Sequence, residues 1–278
     1  MAISAALSVA LGGHPMVSLP PGIPAPRSSG AHGLDKTWFL DVNQFARSTG
    51  WLHGPMLAYA TTYGVVLLGL MLVIGWWLAR GQGPRAVAAA LWAGAGTIIA
   101  VGVGQPINHA VAEARPWESL PNALILAGHT YDFSFPSDHG VVAGAVVAGI
   151  FIYNRRLAIV ATIIGLLLMF GRVYIGAHYP QDVAGGFVIG AAVVLIGYLI
   201  VRIPLRMAVE WLADTPLRPL VAAGPRPGGA GQPAVSGAQP AVSGAQPAVS
   251  GAQPAQSAQS APSAQAAASS AESGGTDR

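Results

Sequence analysis

Long apolar stretches without a charged residue dominate the pattern of hydrophobic and polar positions along the chain. A helix needs about 20 apolar residues to cross the hydrocarbon core of a bilayer, and the first two stretches are long enough. The third and fourth are shorter, but a basic turn joins them, which is typical of a hairpin of two membrane-crossing helices. The pattern predicts about five transmembrane helices, at residues 56–79, 86–103, 139–153, 157–170 and 183–201.

An amphipathic pattern precedes the first of these stretches. Apolar residues recur at helical spacing on one face, and charged or amide residues fill the other. This arrangement is typical of a helix that lies in the membrane surface, and it predicts an interfacial helix at residues 34–49. Its apolar positions are Leu34, Trp38, Val42 and Phe45.

The two ends of the chain differ from the membrane-embedded domain at residues 34–205. Residues 1–33 contain an apolar run that is too short to cross a bilayer, and they receive no assignment. Residues 206–223 form a juxtamembrane segment. The sequence QPAVSGA occurs three times in residues 224–278. Because the proline in each unit excludes a coiled coil, this composition predicts a disordered low-complexity tail.

The overall composition limits the class of protein. Charged residues make up 9% of the chain, against about 25% in an average soluble domain, so a water-soluble enzyme is excluded. The chain has no cysteine, which excludes disulfides, thiol nucleophiles and thiolate metal sites. In so apolar a chain, the net charge of +3 favours loops anchored at the membrane over nucleic-acid binding. Gly186 and Gly190 have the spacing that lets membrane helices approach closely.

The positions of the arginines predict the orientation in the membrane. They cluster after the first, third and fifth apolar stretches, so all three clusters lie on one side, which is the cytoplasmic side by the positive-inside rule. The loops 104–138 and 171–182 then face outward, and the tail is cytoplasmic. The clustered residues are Arg80, Arg85, Arg155, Arg156, Arg202, Arg206, Arg218 and Arg226.

The two outward loops carry nearly all the ionisable residues of the membrane domain, and the first loop ends in a polar motif. Pro136 ends this loop, and Ser137 is a suitable N-cap for the helix that follows. The motif is compatible with a capped helix start alone. It is equally compatible with a phosphate site, in which free N–H groups at the helix start act with the Ser137 hydroxyl and the His139 imidazole.

The second outward loop contains a histidine four residues ahead of an acid. Pro180 suits the first turn of a helix, and Asp182 then lies in the same turn. From there the Asp182 carboxylate can accept a hydrogen bond from His178, fix its tautomer and leave the other ring nitrogen free to attack. The alternative is an acid that only stabilises the helix dipole. Arg172 lies on the same loop and Arg115 on the first one, and these two arginines favour the catalytic interpretation of the His178–Asp182 pair.

Taken in order, these motifs resemble those of the type 2 phosphatidic acid phosphatase (PAP2) superfamily. They are an Arg-Pro pair at Arg115, a Pro-Ser-x-His motif that ends at His139, and an Arg-x5-His-x3-Asp motif that ends at Asp182. The resemblance covers roughly residues 34–205 and implies an all-α polytopic membrane protein with a PAP2-like helical bundle. The superfamily includes bacterial lipid phosphatases and soluble vanadium haloperoxidases.

Within the superfamily, the motifs look most like those of the bacitracin-resistance type of undecaprenyl-diphosphate phosphatase. Two positions depart from the family pattern. Asn108 stands where the family has a lysine, and Gly171 stands where the third motif usually starts with serine. The departures imply that phosphate binding depends mainly on Arg115, Arg172 and backbone amides.

The resemblance also implies a role for each motif residue. His178 would attack phosphorus and form a phosphohistidine, Asp182 would orient His178, and His139 would act as the general acid. Guanidinium groups and helix-start amides would hold the phosphate oxygens where charge develops. Neither a metal ion nor a cofactor is expected. The substrate-binding residues would be Arg115, Arg172, Ser137, Asn108 and Pro116.

The sequence therefore predicts a multi-pass phosphatase of the bacterial plasma membrane, with its site on the extracellular face. Its substrate would be an anionic lipid, and the first candidate is undecaprenyl diphosphate, whose cleavage recycles the lipid carrier of cell-wall synthesis. Phosphatidic acid, phosphatidylglycerol phosphate and other prenyl phosphates are alternatives. A transporter is disfavoured because charged residues are missing from the middle of the apolar stretches. A non-catalytic scaffold is disfavoured because all the motif residues are present.

Overall fold

A computed structural model describes residues 33–130 and 132–223 of the chain. The predicted tail and all but the last residue of the unassigned N-terminal segment lie outside the described residues. In the described part, the regular elements are helices without a β-strand. The predicted helical architecture is thus confirmed.

The helix that precedes the membrane block, α1, extends over Gly33–Ser48. It agrees with the predicted interfacial helix to within one residue at each end. Leu34, Trp38 and Phe45 of its apolar face are exposed, as expected for residues that contact lipid. Phe39 and Asn43 on the other face are buried and pack on the membrane block.

Four of the predicted apolar stretches lie entirely within helices, and the third, 139–153, extends two residues beyond the helix that contains it. Four of these helices are long and apolar enough to cross a membrane, namely α2 (Gly50–Ala79), α3 (Pro84–Val111), α6 (Arg155–Tyr174) and α7 (Pro180–Ala213). The helices extend beyond the apolar stretches because a helix satisfies its own backbone and can continue into the polar headgroup region. The short helix α4 (Pro116–Ser119) lies between α3 and the next long helix.

Helix α5 (Asp138–Phe151) is the central helix of the bundle. Its 14 residues reach about 21 Å at 1.5 Å per residue, which is short of the roughly 30 Å hydrocarbon core. Val146 and Ile150 on one face pack against α2 and α6. Val141 and Ala145 on the other face pack against α3 and α7. The surrounding helices therefore cover α5 on both faces. Its apolar side chains contact other helices, and the helix is shorter than the hydrocarbon core.

Close contact between α5 and α7 depends on glycine. An added Cβ on Gly144 of α5 would lie 1.9 Å from the Phe187 carbonyl oxygen, and one on Gly190 of α7 would lie 2.0 Å from the Val141 carbonyl oxygen. No side chain fits at either position, so the two backbones are in contact. The predicted packing role of the glycine pair on α7 is confirmed, and Gly140 and Gly144 form the matching pair on α5.

The loops at one end of the bundle are held together by backbone hydrogen bonds. The Leu126 and Ala127 N–H groups donate to the Ile175 carbonyl at 2.9 and 3.0 Å. Asn43 of α1 donates to the Leu124 carbonyl at 2.8 Å and accepts from the Leu124 N–H at 3.0 Å. The long loop after α3 is thereby fixed to α1 and to the loop between α6 and α7.

At the opposite end, the chain after α7 packs against α2. Helix α8 (Arg218–Val221) follows a turn. The Trp76 indole N–H donates to the Leu220 carbonyl at 3.0 Å, and Arg80 donates to the Pro219 carbonyl at 2.8 Å. The predicted juxtamembrane segment is thus partly an extension of α7 and partly a docked turn of helix.

Candidate active site

The motif residues come from different elements but meet at one end of the bundle. Ser137 and His139 lie at the start of α5, Arg172 in the last turn of α6, and Asp182 in the first turn of α7. The other two, Arg115 and His178, lie in the loops before α4 and before α7.

His178 has a defined tautomer. Its Nδ1 atom lies 2.9 Å from the Ser134 carbonyl oxygen, and the side chain is almost completely buried. Because a carbonyl only accepts hydrogen bonds, Nδ1 carries the proton and Nε2 carries the lone pair. The Nε2 atom lies 3.2 Å from Nη1 of Arg115. The nitrogen that can act as a nucleophile therefore faces a guanidinium group.

The surroundings of His178 favour its neutral form. Burial lowers its pKa well below the usual 6.5, and the positive charges of Arg115 and Arg172 lower it further. Burial disfavours any charged group, and like charges nearby add to that effect. His178 is therefore neutral at physiological pH, which a nucleophilic imidazole requires.

Asp182 contacts His178 less directly than the sequence indicated. The expected hydrogen bond between them is not formed, since Asp182 Oδ2 lies 3.7 Å from His178 Nδ1. The reason is that the Ser134 carbonyl already accepts the Nδ1 proton. Asp182 Oδ2 instead accepts from the Ser134 hydroxyl at 2.5 Å and from the Tyr179 N–H at 2.8 Å. Asp182 therefore binds Ser134, which accepts the imidazole proton, and the backbone of Tyr179, the residue after His178.

Ser134 is a site residue that sequence reasoning missed. Its carbonyl accepts from His178, its hydroxyl donates to Asp182, and its N–H donates to the Glu113 carbonyl at 2.9 Å. The only signal in the sequence is its position three residues before Ser137 in the same loop. Serine is common in loops, so nothing in the sequence distinguishes Ser134 from other loop serines.

Arg115 is buried and bound on several sides. Its Nη1 donates to the Ala177 carbonyl at 2.9 Å, and its Nε donates to the Asp132 carbonyl at 3.0 Å. Its Nη2 forms an ion pair with the Asp132 carboxylate at 2.6 Å. Burial raises the pKa of Asp132, but the Arg115 charge and hydrogen bonds outweigh this and lower it below the usual value. Asp132 is a second residue without a predicted role.

A cavity of about 230 Å³ opens beside the two arginines. Arg172 donates to the Ala60 carbonyl at 3.5 Å, while its buried Nε has no partner among the described residues. Two guanidinium groups beside one cavity suit a phosphate group, whose oxygens accept several hydrogen bonds at once. The lining residues are Thr61, Arg115, Trp117, Ala127, Gly128, His129, Thr130, Arg172 and Ala177.

Ser137 and His139 lie where α5 begins. Ser137 occupies the predicted N-cap position, but its side chain makes no capping hydrogen bond, and its buried hydroxyl has no partner in the part of the chain that the structure describes. Neither Ser137 nor His139 is among the residues that line the cavity. His139 lies beside the backbone of Thr61 on α2, which does line it.

Of the predicted site residues, only Arg115 and Arg172 line the cavity; the others, including Asn108 and Pro116, do not. The Asn108 amide donates both hydrogens within its own neighbourhood, to the carbonyls of Phe133 and Phe135 at 2.9 and 3.0 Å. It therefore fastens the loop that carries Ser134, whereas the sequence suggested that it binds substrate. Pro116 is buried and starts helix α4, which directly follows Arg115.

Two further histidines of the outward loops, His109 and His129, have aromatic partners. His129 stacks on Trp117 with ring centroids 5.1 Å apart, and both line the cavity. His109 meets the edge of Phe133 at 5.9 Å. Only His129 is thus close enough to the cavity to meet a substrate, and no sequence pattern distinguished it from His109.

The remaining acids of the outward loops have polar partners. Glu113 accepts from the Gln181 side chain at 2.8 Å, and Asp138 accepts from Gln105 at 3.1 Å. Within residues 33–130 and 132–223, no group of three or more histidine or acidic side chains is arranged to hold a metal ion.

Comparisons with known proteins agree with the motifs. The PAP2 superfamily model matches residues 89–204. The undecaprenyl-diphosphatase BcrC of Bacillus subtilis is 32% identical over 147 residues, which cover 53% of this chain and 72% of that protein. The bacitracin transport permease protein BcrC of Bacillus licheniformis is 27% identical over 152 residues, 55% of this chain and 73% of that protein.

Among solved structures, similarity is found to the first transmembrane PAP2 type phosphatidylglycerolphosphate phosphatase from Bacillus subtilis. The TM-score is 0.44 at 18% sequence identity, and the match covers 61% of this chain and 87% of that chain.

Proposed function

Because this chain belongs to the PAP2 superfamily and is a membrane lipid phosphatase, we propose that it cleaves undecaprenyl diphosphate to undecaprenyl phosphate and inorganic phosphate. The observation that carries the reaction type is the orientation of His178, whose unprotonated Nε2 faces Arg115 beside the cavity. The choice of lipid is supported by the similarity to the undecaprenyl-diphosphatase of Bacillus subtilis.

In the first step, Nε2 of His178 attacks the terminal phosphorus. A nitrogen–phosphorus bond forms, the bond from phosphorus to the bridging oxygen breaks, and the electron pair leaves with undecaprenyl phosphate. The product on the enzyme is a phosphohistidine. Attack makes the imidazole cationic, and the Ser134 carbonyl at 2.9 Å, supported by the Asp182 carboxylate at 3.7 Å, stabilises that charge.

Negative charge spreads over the equatorial phosphate oxygens during transfer. Arg115 and Arg172 both line the cavity. In this mechanism the buried Ser137 hydroxyl, which has no partner among the described residues, supplies one more donor. Fixed donors aimed at developing charge act strongly because they need no reorganisation at the moment of reaction. Positioning and charge stabilisation by these three residues therefore lower the barrier.

His139 is the general acid of this mechanism. It lies at the start of α5, beside Ser137, and contacts the backbone of Thr61, which borders the cavity. Burial and the positive charge of Arg172 lower the pKa of His139 to about 4, so in this mechanism the imidazole takes up its proton when the negatively charged substrate binds. It gives that proton to the leaving oxygen and is then neutral, so that it can take a proton from the water that attacks the phosphohistidine. Hydrolysis releases phosphate and returns both histidines to their starting states.

The distribution of arginines supports an orientation with the site on the extracellular face of a bacterial plasma membrane and the tail in the cytoplasm. In this orientation the lipid tail of the substrate lies among the helices, and the headgroup reaches the cavity from the membrane surface.

The substrate assignment is tested by phosphate release from purified protein in detergent micelles. Undecaprenyl diphosphate and phosphatidic acid are compared at equal mole fraction, and kcat/KM is measured for each. We expect the diphosphate to be preferred by at least about tenfold, which corresponds to 1.4 kcal/mol of transition-state binding. A preference for phosphatidic acid would assign the protein to the alternative substrates named above. Release from neither would refute the proposal.

A further inference from the structure

Helix α2 contains an irregular turn beside the cavity. Residues Tyr59–Tyr63 are π-helical, and the Gly64 N–H donates to the Tyr59 carbonyl five residues back. Such turns are rare, and they change the direction of backbone carbonyls that an α-helix would use internally. Apart from the contact of His139 with Thr61, the proposed mechanism assigns no role to α2, although this turn borders the cavity at Thr61.

Two residues of the proposed mechanism contact the backbone of this turn. Arg172, from α6, donates to the Ala60 carbonyl at 3.5 Å. His139, from α5, lies beside the backbone of the next residue, Thr61. Thr61 also lines the cavity together with Arg115 and Arg172. Two adjacent residues of α2 thus contact a phosphate-binding group and the general acid, which come from two other helices.

The contact between α2 and α6 is tight because of a glycine. An added Cβ on Gly171 would lie 2.9 Å from the Ala60 Cβ and 3.1 Å from the Met56 sulfur. Next to this contact, the Tyr59 hydroxyl donates to the Ile164 carbonyl at 2.8 Å. Gly171 directly precedes Arg172, so any side chain at this position would move α2 away from the arginine. The family's usual serine at this position would have the same effect here.

From these contacts, we propose that the π-helical turn of α2 is a positioning element of the active site. It sets the distance between Arg172 and His139, and Gly171 is required because it allows Ala60 to approach. The inference rests on the roles that the proposed function gives to Arg172 and His139. It does not depend on which lipid is the substrate.

The test is Gly171→Ala, with rescue by Ala60→Gly. The added methyl should push the turn away from α6, and a displacement of about 1 Å at a catalytic group can lower the rate about 100-fold. We expect kcat to fall at least tenfold and the Kd for orthovanadate, which mimics the transferring phosphate, to rise at least fivefold. The double variant removes the opposing methyl and should recover most of both losses. Alanine is a better helix former than glycine, so the change does not weaken α6 itself.

Gly69→Ala on α2 is the matched control, because a Cβ there meets nothing within 4 Å. It should leave kcat and vanadate affinity unchanged. Ala60→Ser adds a single oxygen at the same contact and serves as a milder variant if Gly171→Ala does not fold. It should lower kcat a few-fold.

Activity is measured with whichever of undecaprenyl diphosphate and phosphatidic acid the unaltered protein hydrolyses faster, so a wrong substrate assignment does not affect the result. Vanadate binding is measured by calorimetry and needs no turnover. The proposal is overturned if folded Gly171→Ala or Ala60→Ser keeps both the kcat and the vanadate affinity of the unaltered protein. It is also overturned if Ala60→Gly fails to restore a loss caused by Gly171→Ala.

Discussion

Ser134 lies between His178 and Asp182 and bonds to both of them. Its carbonyl fixes the tautomer of the imidazole, while its hydroxyl binds the carboxylate that stabilises the imidazole after attack. One residue of an irregular loop thus determines the state of the nucleophile. Sequence spacing had suggested a direct contact between His178 and Asp182, because it cannot show that the backbone of a distant loop enters between them.

Removal of the Ser134 hydroxyl separates the two functions of this residue. In Ser134→Ala the carbonyl still holds His178, but the Asp182 carboxylate loses a buried donor, which costs about 1–3 kcal/mol. We expect kcat to fall about tenfold with a smaller change in KM. Single-turnover measurements of phosphoenzyme formation report this step directly. Ser48→Ala is the control, since the exposed Ser48 hydroxyl only bonds within α1. Equal effects of the two substitutions would rule out that Ser134 connects Asp182 to His178.

The pH dependence follows from the charges around His178. Burial and the positive charges of Arg115 and Arg172 keep its pKa well below 6.5, and protonation removes the lone pair that attacks phosphorus. Activity is therefore present above the pKa of His178 and lost as the pH falls through it. We expect kcat/KM to be unaffected by this group at pH 6.5 and to decline only at lower pH.

Arg172→Gln provides a check on that cause. Loss of a positive neighbour raises the pKa of His178, so the acid limb of the residual activity should move to higher pH. The measurement is a pH profile of kcat/KM for both proteins in the same detergent. An acid limb at or above pH 6.5 in the unaltered protein would contradict the neutral, buried state of His178.

At the scale of elements, the sequence was sufficient to predict the helices whose apolar pattern is imposed by contact with lipid. The apolar stretches alone predicted α2, α3 and α7, because a helix in a bilayer must be apolar over its lipid-facing length. Helices α5 and α6 were predicted with the help of the basic turn that joins them, although α5 is too short to cross the core and is covered by its neighbours. Pairwise contacts across loops, such as Arg115 with Asp132, have no periodic signal and could not be predicted.

Helix α1 fastens the loop beside the cavity through the buried side chain of Asn43. Asn43 makes two hydrogen bonds with the backbone of Leu124, in the same loop as the cavity residues 127–130. Asn43→Ala leaves two backbone groups without partners, which costs roughly 1–3 kcal/mol each if they stay buried. We expect a lower Tm and a several-fold lower kcat/KM, since the loop becomes less ordered.

Thr37→Ala is the matched change on the same helix, because the exposed Thr37 hydroxyl bonds only to the Gly33 carbonyl. It should alter neither Tm nor activity. If Asn43→Ala lowers Tm but leaves kcat/KM unchanged, α1 stabilises the fold without supporting the cavity.

At the scale of the whole molecule, the proposed orientation is open to a direct test. The chain has no cysteine, so a single introduced cysteine is the only thiol in the protein. Gln82 lies between α2 and α3 at one end of the bundle, and Asn122 lies in the long loop at the site end. We expect Asn122→Cys to react with an impermeant maleimide in intact cells and Gln82→Cys to react only after lysis. The reverse result would place the site in the cytoplasm.

The last described residues indicate where the chain can be shortened without effect on the chemistry. The Ala223 N–H donates to the Arg80 carbonyl at 3.0 Å, which closes the contact of α8 with α2. All the residues of the proposed mechanism lie between Arg115 and Asp182, at the other end of the bundle. Truncation after Ala223 should therefore leave kcat and KM for a lipid phosphate within about twofold, a change of only about 0.4 kcal/mol.

Truncation after Leu217 is the informative comparison, because it also removes α8 and the carbonyls of Pro219 and Leu220 that Arg80 and Trp76 bind. The Arg80 and Trp76 side chains then lose these acceptors, so Tm should fall while kcat changes little. Both proteins are measured in the same detergent, by thermal unfolding and by phosphate release. If the protein truncated after Ala223 loses activity while its Tm is unchanged, the tail takes part in catalysis. That result would contradict the assignment of the tail to the face opposite the site.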